Sequence, residues 1–188
     1  MSIITPQIEA ARLLLNDYIT DSNIIQHCEA TRQKALRIAN ILSAKIVVDL
    51  DLISIGALLH DLGRARTNDV THGYLGGKLL ELYDYPSSIV KIVERHVLGG
   101  FTAEEAVQVG LPQRSFVPET WEEKIVCVAD KLGLYTWEEI DQPQKWLEKI
   151  DNRFAVFRQN YTITEPYQTS MQRAKHFAKA LVRLAKLK

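Results

Sequence analysis

Four of the five histidines fall in the order His27, His60, His72 and His96. Asp61 follows the second of them directly, and Asp130 closes the series inside an apolar helical run. Imidazoles and carboxylates in such a series are ligands for a divalent metal, and a metal so held activates water for hydrolysis. The doublet His60-Asp61 ends the apolar segment Asp51-Leu52-Ile53-Ser54-Ile55-Gly56-Ala57-Leu58-Leu59 and precedes Leu62-Gly63. A carboxylate at the buried end of such a run requires a partner. Nitrogen and oxygen donors together suit Mn, Fe, Co, Ni or Zn better than the all-oxygen shell that Mg or Ca prefers. Neighbouring residues on a helix diverge by about 100°, so His60 and Asp61 meet one metal only near a helix end, or one of them bridges two. Asp61 is the candidate bridge, because a carboxylate has two oxygens to share. Simpler roles stay open for the others. His27 can be a polar residue at a helix start, Asp130 can pair with Lys124 or Lys131, and His72 and His96 can serve helix termini.

The order H…HD…H…H…D resembles that of the HD superfamily of metal-dependent phosphohydrolases, and His60-Asp61-Leu62-Gly63-Arg64 resembles its HDIG-type signature. The simplest members need the first His, the HD pair and the last Asp, which here are His27, His60, Asp61 and Asp130. Branches such as the HD-GYP cyclic-dinucleotide phosphodiesterases and the bacterial HD-type dinucleoside tetraphosphate hydrolases add two histidines between the HD pair and the final Asp, where His72 and His96 stand. Small archaeal-type HDIG-domain proteins, uncharacterised hydrolases by description, are more similar still. They share Ile92-Val93-Glu94-Arg95-His96, Glu104-Glu105-Ala106, Gly110-Leu111-Pro112, the run from Pro118 to Val126, and Ala129-Asp130-Lys131. The resemblance covers roughly residues 20 to 135. Arg64 stands where HD-GYP proteins carry lysine, and no GYP tripeptide follows, so cleavage of cyclic dinucleotides is not implied.

The resemblance implies two divalent transition metals (Fe, Mn, Co, Ni or Zn), with His27, His60 and Asp130 on one, His72 and His96 on the other, and Asp61 between them. Two such metals hold a water, lower its pKa and stabilise charge at a phosphorus. Asp61 and Arg64 are then the catalytic pair. Arg64, with its bidentate fork, is the first candidate to hold phosphate oxygens, followed by Arg95 and Lys131, while Arg66 and Lys78 read as surface charge. The implied activity is that of a phosphomonoesterase or phosphodiesterase acting on a small, nucleotide-like phosphorylated substrate. Two alternatives remain: a di-iron HD oxygenase using the same ligands, and a non-catalytic nucleotide-binding regulatory module, whose expected mark, a broken ligand set, is missing here.

Composition narrows the class. The chain has 188 residues, of which 46% are hydrophobic, and a formal net charge of zero, which suits one compact domain with a real core. No apolar stretch approaches the about 20 residues of a membrane span, and Met1-Ser2-Ile3-Ile4-Thr5-Pro6 lacks a basic, signal-like beginning, so a cytoplasmic protein is expected. Neutral charge offers no general footprint for a nucleic-acid polymer. The locally basic tail Lys175, Lys179, Arg183, Lys186, Lys188 reads as a solvated helix face. Cys28 and Cys127 have no CxxC spacing and read as small buried thiols near the site.

The elements that must position these ligands are helical throughout. Residues 7–19 repeat Ile8, Ala11, Leu14 and Leu15 at helical spacing, and His27 to Ala44 repeat it through Ala35, Ile38, Ala39 and Leu42. Asp49 or Asp51 can cap a helix running to about Leu62, where Gly63 breaks it, and the loop Arg64 to Thr71 delivers His72 at a helix start. A helix from Gly73 to Tyr83 carries Gly76-Gly77, which lets another backbone come close. Pro86 starts a helix ending at His96, Thr102 to Val109 is short, and Thr120-Trp121-Glu122-Glu123 is a capping box opening the Asp130 helix. Trp137 to Gln159 reads as one or two helices with Trp146, Ile150, Phe154 and Phe157 as core or dimer contact, and a last helix spans roughly Tyr167 to Leu187. Ile46-Val47-Val48 is too short to build a sheet. The expected fold is an all-α HD-domain helical bundle, one domain over 1–188, with a motif core of about 20–135 and C-terminal helices over about 136–188. A homodimer through the C-terminal aromatic helix is open.

Overall fold

The computed structural model describes residues 6–133, 136–160 and 162–186, and among them there are helices and turns with no strand. The opening residues 1–5, the junction residues Leu134 and Tyr135, and the expected helix end at Leu187 and Lys188 lie outside the described residues. Helix α1 (Pro6–Tyr18) leads to α2 (Ser22–Leu42), which begins five residues before the expected start at His27. The reason is local: the Asp21 carboxylate accepts from the Asn23 amide at 2.8 Å and caps the helix there. His27 therefore sits in the second turn, and the helix-start role left open for it does not apply.

Asp49 caps α3 (Leu50–Leu59), accepting from the Leu52 amide at 2.9 Å. The helix stops at Leu59, short of the expected Leu62, and the chain tightens into a 3₁₀ turn at Leu62–Ala65. Every residue from Ile53 to Leu62 is buried, as a helix that is apolar all round must be. Ile53 and Ala57 pack with α2 and α7 in one core cluster, while Ile55, Leu58 and Leu59 pack with α1, α4 and α5 in a second. Full burial of a Leu or Ile side chain is worth about 1.5–3 kcal/mol, so α3 is pinned from both sides and its last residues, His60 and Asp61, are fixed at the middle of the molecule.

Helices α4 (His72–Leu82) and α5 (Ser87–Arg95) follow, the second opened by Pro86 and closed by His96. The close approach expected at the glycines occurs: an ideal Cβ on Gly76 would lie 3.0 Å from the Gly63 nitrogen, and one on Gly63 would lie 1.9 Å from the His72 carbonyl oxygen and 2.6 Å from the Gly76 nitrogen. Both partners of Gly63 are backbone and cannot step aside. Gly63→Ala is therefore expected to cost about 3 kcal/mol or more, read as a lower urea midpoint. An unchanged midpoint would mean that the turn after Asp61 does not rest on α4.

Thr102 and Glu105 form a capping box at α6 (Ala103–Gln108). At α7 (Trp121–Lys131) the expected box is only half made. Thr120 accepts from the Glu123 amide at 3.2 Å, but the Glu123 carboxylate accepts from the Glu119 amide at 2.6 Å and from Arg95 at 2.9 Å, and not from the Thr120 amide. Short α8 (Trp137–Ile140) and a 3₁₀ turn (Pro143–Lys145) lead into α9 (Trp146–Asn160), and α10 (Glu165–Lys186) closes the described chain. Trp146, Ile150 and Phe154 are buried as their spacing predicts. Helix α10 buries Met171, Ala174, Phe177, Ala178, Leu181 and Val182 in the same cluster as α7. Its Ser170 hydroxyl donates to Gly100 O at 2.6 Å and accepts from the Gly99 amide at 3.0 Å, which ties the loop after His96 to the C-terminal helix. No helix among the described residues is long and apolar enough to cross a membrane.

Candidate metal centre

The six residues of the series converge from five helices and the turns at their ends. His27 comes from α2, His60 and Asp61 from the end of α3, His72 from the first residue of α4, His96 from the cap of α5, and Asp130 from the last turn of α7. Three of the imidazoles are aimed in one way. The Nδ1 atoms of His60, His72 and His96 lie 2.8, 2.5 and 2.7 Å from the carbonyl oxygens of Ala57, Asp69 and Val93, each three residues earlier. A carbonyl only accepts, so each contact holds a proton on Nδ1 and leaves Nε2 as the basic atom facing inward.

The inward atoms crowd together. His27 Nε2 and His60 Nε2 are 3.2 Å apart, and His72 Nε2 and His96 Nε2 are 3.1 Å apart. At His72 and His96 two lone pairs then face each other and need a proton or a cation between them. Asp61 lies between the pairs: Oδ2 is 3.8 and 3.6 Å from His27 and His60, and Oδ1 is 3.0 and 3.6 Å from His72 and His96. Asp130 Oδ1 is 2.9 Å from His27 and 3.5 Å from His60. Asp61 Oδ1 is buried with no hydrogen-bond partner, although a buried acceptor left so costs about 1–3 kcal/mol. His27, His60 and Asp130 form one set of ligand atoms mutually within 4.8 Å, and His60, Asp61 and His96 form another. The donor types, the facing lone pairs and the orphaned oxygen all fit divalent metal.

The charges agree with that use. Burial alone would raise the Asp61 carboxyl, but the His60 charge and the nearby imidazoles of His72 and His96 hold it well below the ordinary range. Burial would likewise raise Asp130, and the Lys131 ammonium, 2.8 Å away, outweighs it and keeps the carboxyl ionised. Burial pushes His96 down to about 3, so it is neutral. Burial also opposes charge on His60, yet the adjoining Asp61 carboxylate wins and raises it well above the ordinary value.

A cavity of about 540 Å³ opens over this cluster, within the usual range for small-molecule sites. Its walls include His27, Asp61, His72, His96 and Asp130, with His60 wholly buried behind them. Arg64 lines the cavity and its Nε donates to Asp61 Oδ2 at 2.7 Å. Lys131 lines it too, with its ammonium on Asp130 and on the His96 carbonyl oxygen. Arg95 does not. The expectation that it holds substrate phosphate is corrected, because its Nη1 lies 2.9 Å from both Glu119 and Glu123, where it ties α5 to α7 outside the cavity wall. Arg66 and Lys78 border a separate shallow surface groove, and Lys78 pairs with Glu81 at 2.6 Å. Cys28 and Cys127 are fully buried, and the Cys127 thiol donates to Leu98 O at 3.0 Å.

The sequence reading missed the wall supplied by α9. Arg153, Phe154, Phe157 and Asn160 all line the cavity, whereas the spacing of the two phenylalanines predicts core or dimer contact alone. The spacing Arg153, Phe157, Asn160 places three residues on one helical face, which was the available signal.

Behind Asp130, Lys34 is 1% exposed and donates to Gly133 O at 3.3 Å, just past the end of α7. Burial pushes its ammonium from 10.5 down to about 8, against the pull of Asp130 and with the push of Arg153, Lys149 and Lys131. The folded protein thus loses this proton before the unfolded chain does. The penalty for burying the charge is complete below about pH 8 and fades as pH rises toward 10.5, at up to about 1.4 kcal/mol per pH unit. The stability difference between the native chain and Lys34→Met is therefore expected to move in favour of the native chain across that interval in urea titrations. A difference that stays flat would show that Lys34 keeps an ordinary proton affinity.

Comparison with known proteins agrees with this geometry. The family model described as HD domain matches residues 24–134. An uncharacterized protein of Methanocaldococcus jannaschii is 38% identical over 145 residues, covering 76% of this chain and 85% of that protein. The tRNA (cytidine(56)-2'-O)-methyltransferases of Picrophilus torridus and Thermoplasma volcanium are each 38% identical, over 148 and 129 residues, but the chain spans only 42% and 37% of their lengths. Among solved structures, the HD domain of the L. monocytogenes phosphodiesterase PgpH superposes with a TM-score of 0.52 at 15% identity, covering 96% of this chain and 98% of that one, a likeness of fold. With its histidine and aspartate series gathered at one centre inside the matched segment, the chain belongs to the HD-domain family.

Proposed function

We propose that the protein is a metal-dependent phosphohydrolase acting on a small, nucleotide-like phosphorylated substrate, in which Asp61 would help hold two metals. The observation that supports this most is the division of the Asp61 carboxylate, with Oδ2 turned to His27 and His60 and Oδ1 turned to His72 and His96. Two divalent metals, held by His27, His60 and Asp130 and by His72 and His96, would supply Lewis-acid charge and a water of lowered pKa. The residues of the chain do the rest. The main-chain carbonyls of Ala57, Asp69 and Val93 keep three ligands in the correct tautomer. Arg64, anchored on Asp61 at the cavity wall, places a cation where phosphate oxygens enter. Lys131 holds Asp130 ionised. In the reaction the oxygen of water bonds to phosphorus, the ester P–O bond breaks, and a proton passes to the leaving alkoxide.

The nucleotide part of the reading rests on the cavity's size and its aromatic wall, and agrees with relatives whose names place them on tRNA. The test is metal content of protein purified without chelator, together with hydrolysis of p-nitrophenyl and bis-p-nitrophenyl phosphate after addition of Mn, Fe, Co or Ni. About two metals per chain and turnover are expected, and Arg64→Ala should keep the metal while losing about 10²-fold in kcat/KM. Protein that binds no metal and turns over neither ester would overturn the proposal.

A further inference from the structure

Three cationic side chains line the cavity: Arg64, Lys131 and Arg153. Two are taken up at the metal centre, Arg64 by Asp61 at 2.7 Å and Lys131 by Asp130 at 2.8 Å. Arg153 forms no ion pair or hydrogen bond among the described residues, and it stands on α9, which contributes no metal ligand and lies beyond the segment matched by the HD family. Phe157, one turn further on, presents a half-buried ring to the same space, and Asn160 follows on that face. The ground behind is positive as well. Arg153, Lys149 and Lys131 all act on the charge of Lys34, and Lys131 and Lys149 pair with Asp130 and Glu139.

A guanidinium with no partner among the described residues, on one helical face with an aromatic ring and on a helix that carries none of the six ligand candidates, is a site for an anion joined to a planar group. We propose that Arg153 binds a second phosphoryl group of the substrate while Phe157 lies against its base, so that the substrate class is a nucleotide carrying two phosphoryl groups, one at the metal centre and one on α9. This rests on the phosphohydrolase reading above and names its substrate class. The second group is either the other half of a diphosphate or a separate phosphate on the ribose, and both present anionic phosphoryl oxygens to a guanidinium. Arg153 is a specificity residue here, since it touches the part of the substrate that does not react.

The experiment compares adenosine 5'-monophosphate, adenosine 5'-diphosphate and adenosine 3',5'-bisphosphate as substrates of the metal-loaded protein, in the native chain, Arg153→Gln, Arg153→Lys and Arg158→Gln. Arg158 is exposed on the same helix and outside the cavity, so it controls for general surface charge. At least one doubly phosphorylated nucleotide should be preferred over the monophosphate. Arg153→Gln should raise its KM by about 10- to 100-fold with kcat nearly unchanged, and leave the monophosphate KM and metal content as they were. Arg153→Lys should restore part of the loss, and Arg158→Gln should change nothing. Whichever of the two nucleotides responds identifies the source of the second phosphate. Equal effects of Arg153→Gln on all three, or no preference in the native chain, would overturn the inference while leaving the phosphohydrolase intact. If no nucleotide is hydrolysed, calorimetry of their binding decides the matter separately: tighter binding of a doubly phosphorylated nucleotide that Arg153→Gln abolishes supports the subsite, and indifference sinks it.

Discussion

Asp61→Asn is expected to lower bound metal from about two per chain to below one and to reduce phosphoester turnover by about 10³-fold or more, with the helical circular dichroism unchanged. The carboxamide keeps the shape of the side chain but has only one oxygen, and no charge. In the native centre Oδ1 faces His72 and His96 while Oδ2 faces His27 and His60 and accepts from Arg64. One carbonyl oxygen serves only one of those sides. Asp61→Ala should lose the metal too, but less cleanly, because it strands the Arg64 guanidinium and the raised His60 against an uncompensated cavity, and removing one partner of a buried charge pair costs about 3–5 kcal/mol. Full metal content with full turnover in Asp61→Asn would mean that the carboxylate bridges nothing.

Stripping the metal with a chelator is expected to lower the thermal midpoint by about 8–16 °C when the free metal had stood about 1,000-fold above its Kd. Binding at that excess stabilises the folded state by about 4 kcal/mol, and in a chain of this size each kcal/mol corresponds to about 2–4 °C. The structure says why the stripped protein should be the weaker form. It retains imidazole Nε2 atoms facing each other at 3.1 and 3.2 Å and a buried Asp61 oxygen without a hydrogen bond. Differential scanning with and without chelator, followed by restoration with Mn or Co, measures the effect. A midpoint that ignores both treatments would show that the cluster is stable as a network of shared protons and has no need of metal.

Much of this was legible before any coordinates. The residues of the centre differ from their surroundings in kind: a charged Asp61 closing an apolar run, and histidines at helix ends. Helical periodicity placed the core stripes of α1, α2 and α9, since a 3.6-residue repeat follows from backbone geometry alone. The cap at Asp49 and the close approach at Gly76 were readable for the same local reason. Local chemistry also misled where a second partner competed. Glu123 has the sequence of a capping-box residue, yet its carboxylate goes to Arg95 and to the Glu119 amide. That same contact carries Arg95 away from the cavity, although its neighbour His96 lies at the centre.

The sequence by itself determined the ligand types, their order, the helical class and the helix ends at which most ligands sit, because each of these depends on residues within a turn or two of one another. Tertiary structure alone decided which oxygen of Asp61 meets which histidines, which of the cations reach the cavity, and that α9 walls it with Arg153 and Phe157. Those outcomes depend on how α3 is clamped between two cores and on how the C-terminal helices pack against α2 and α7. Such contacts join residues a hundred positions apart, as His27 joins Asp130, and no local periodicity records them.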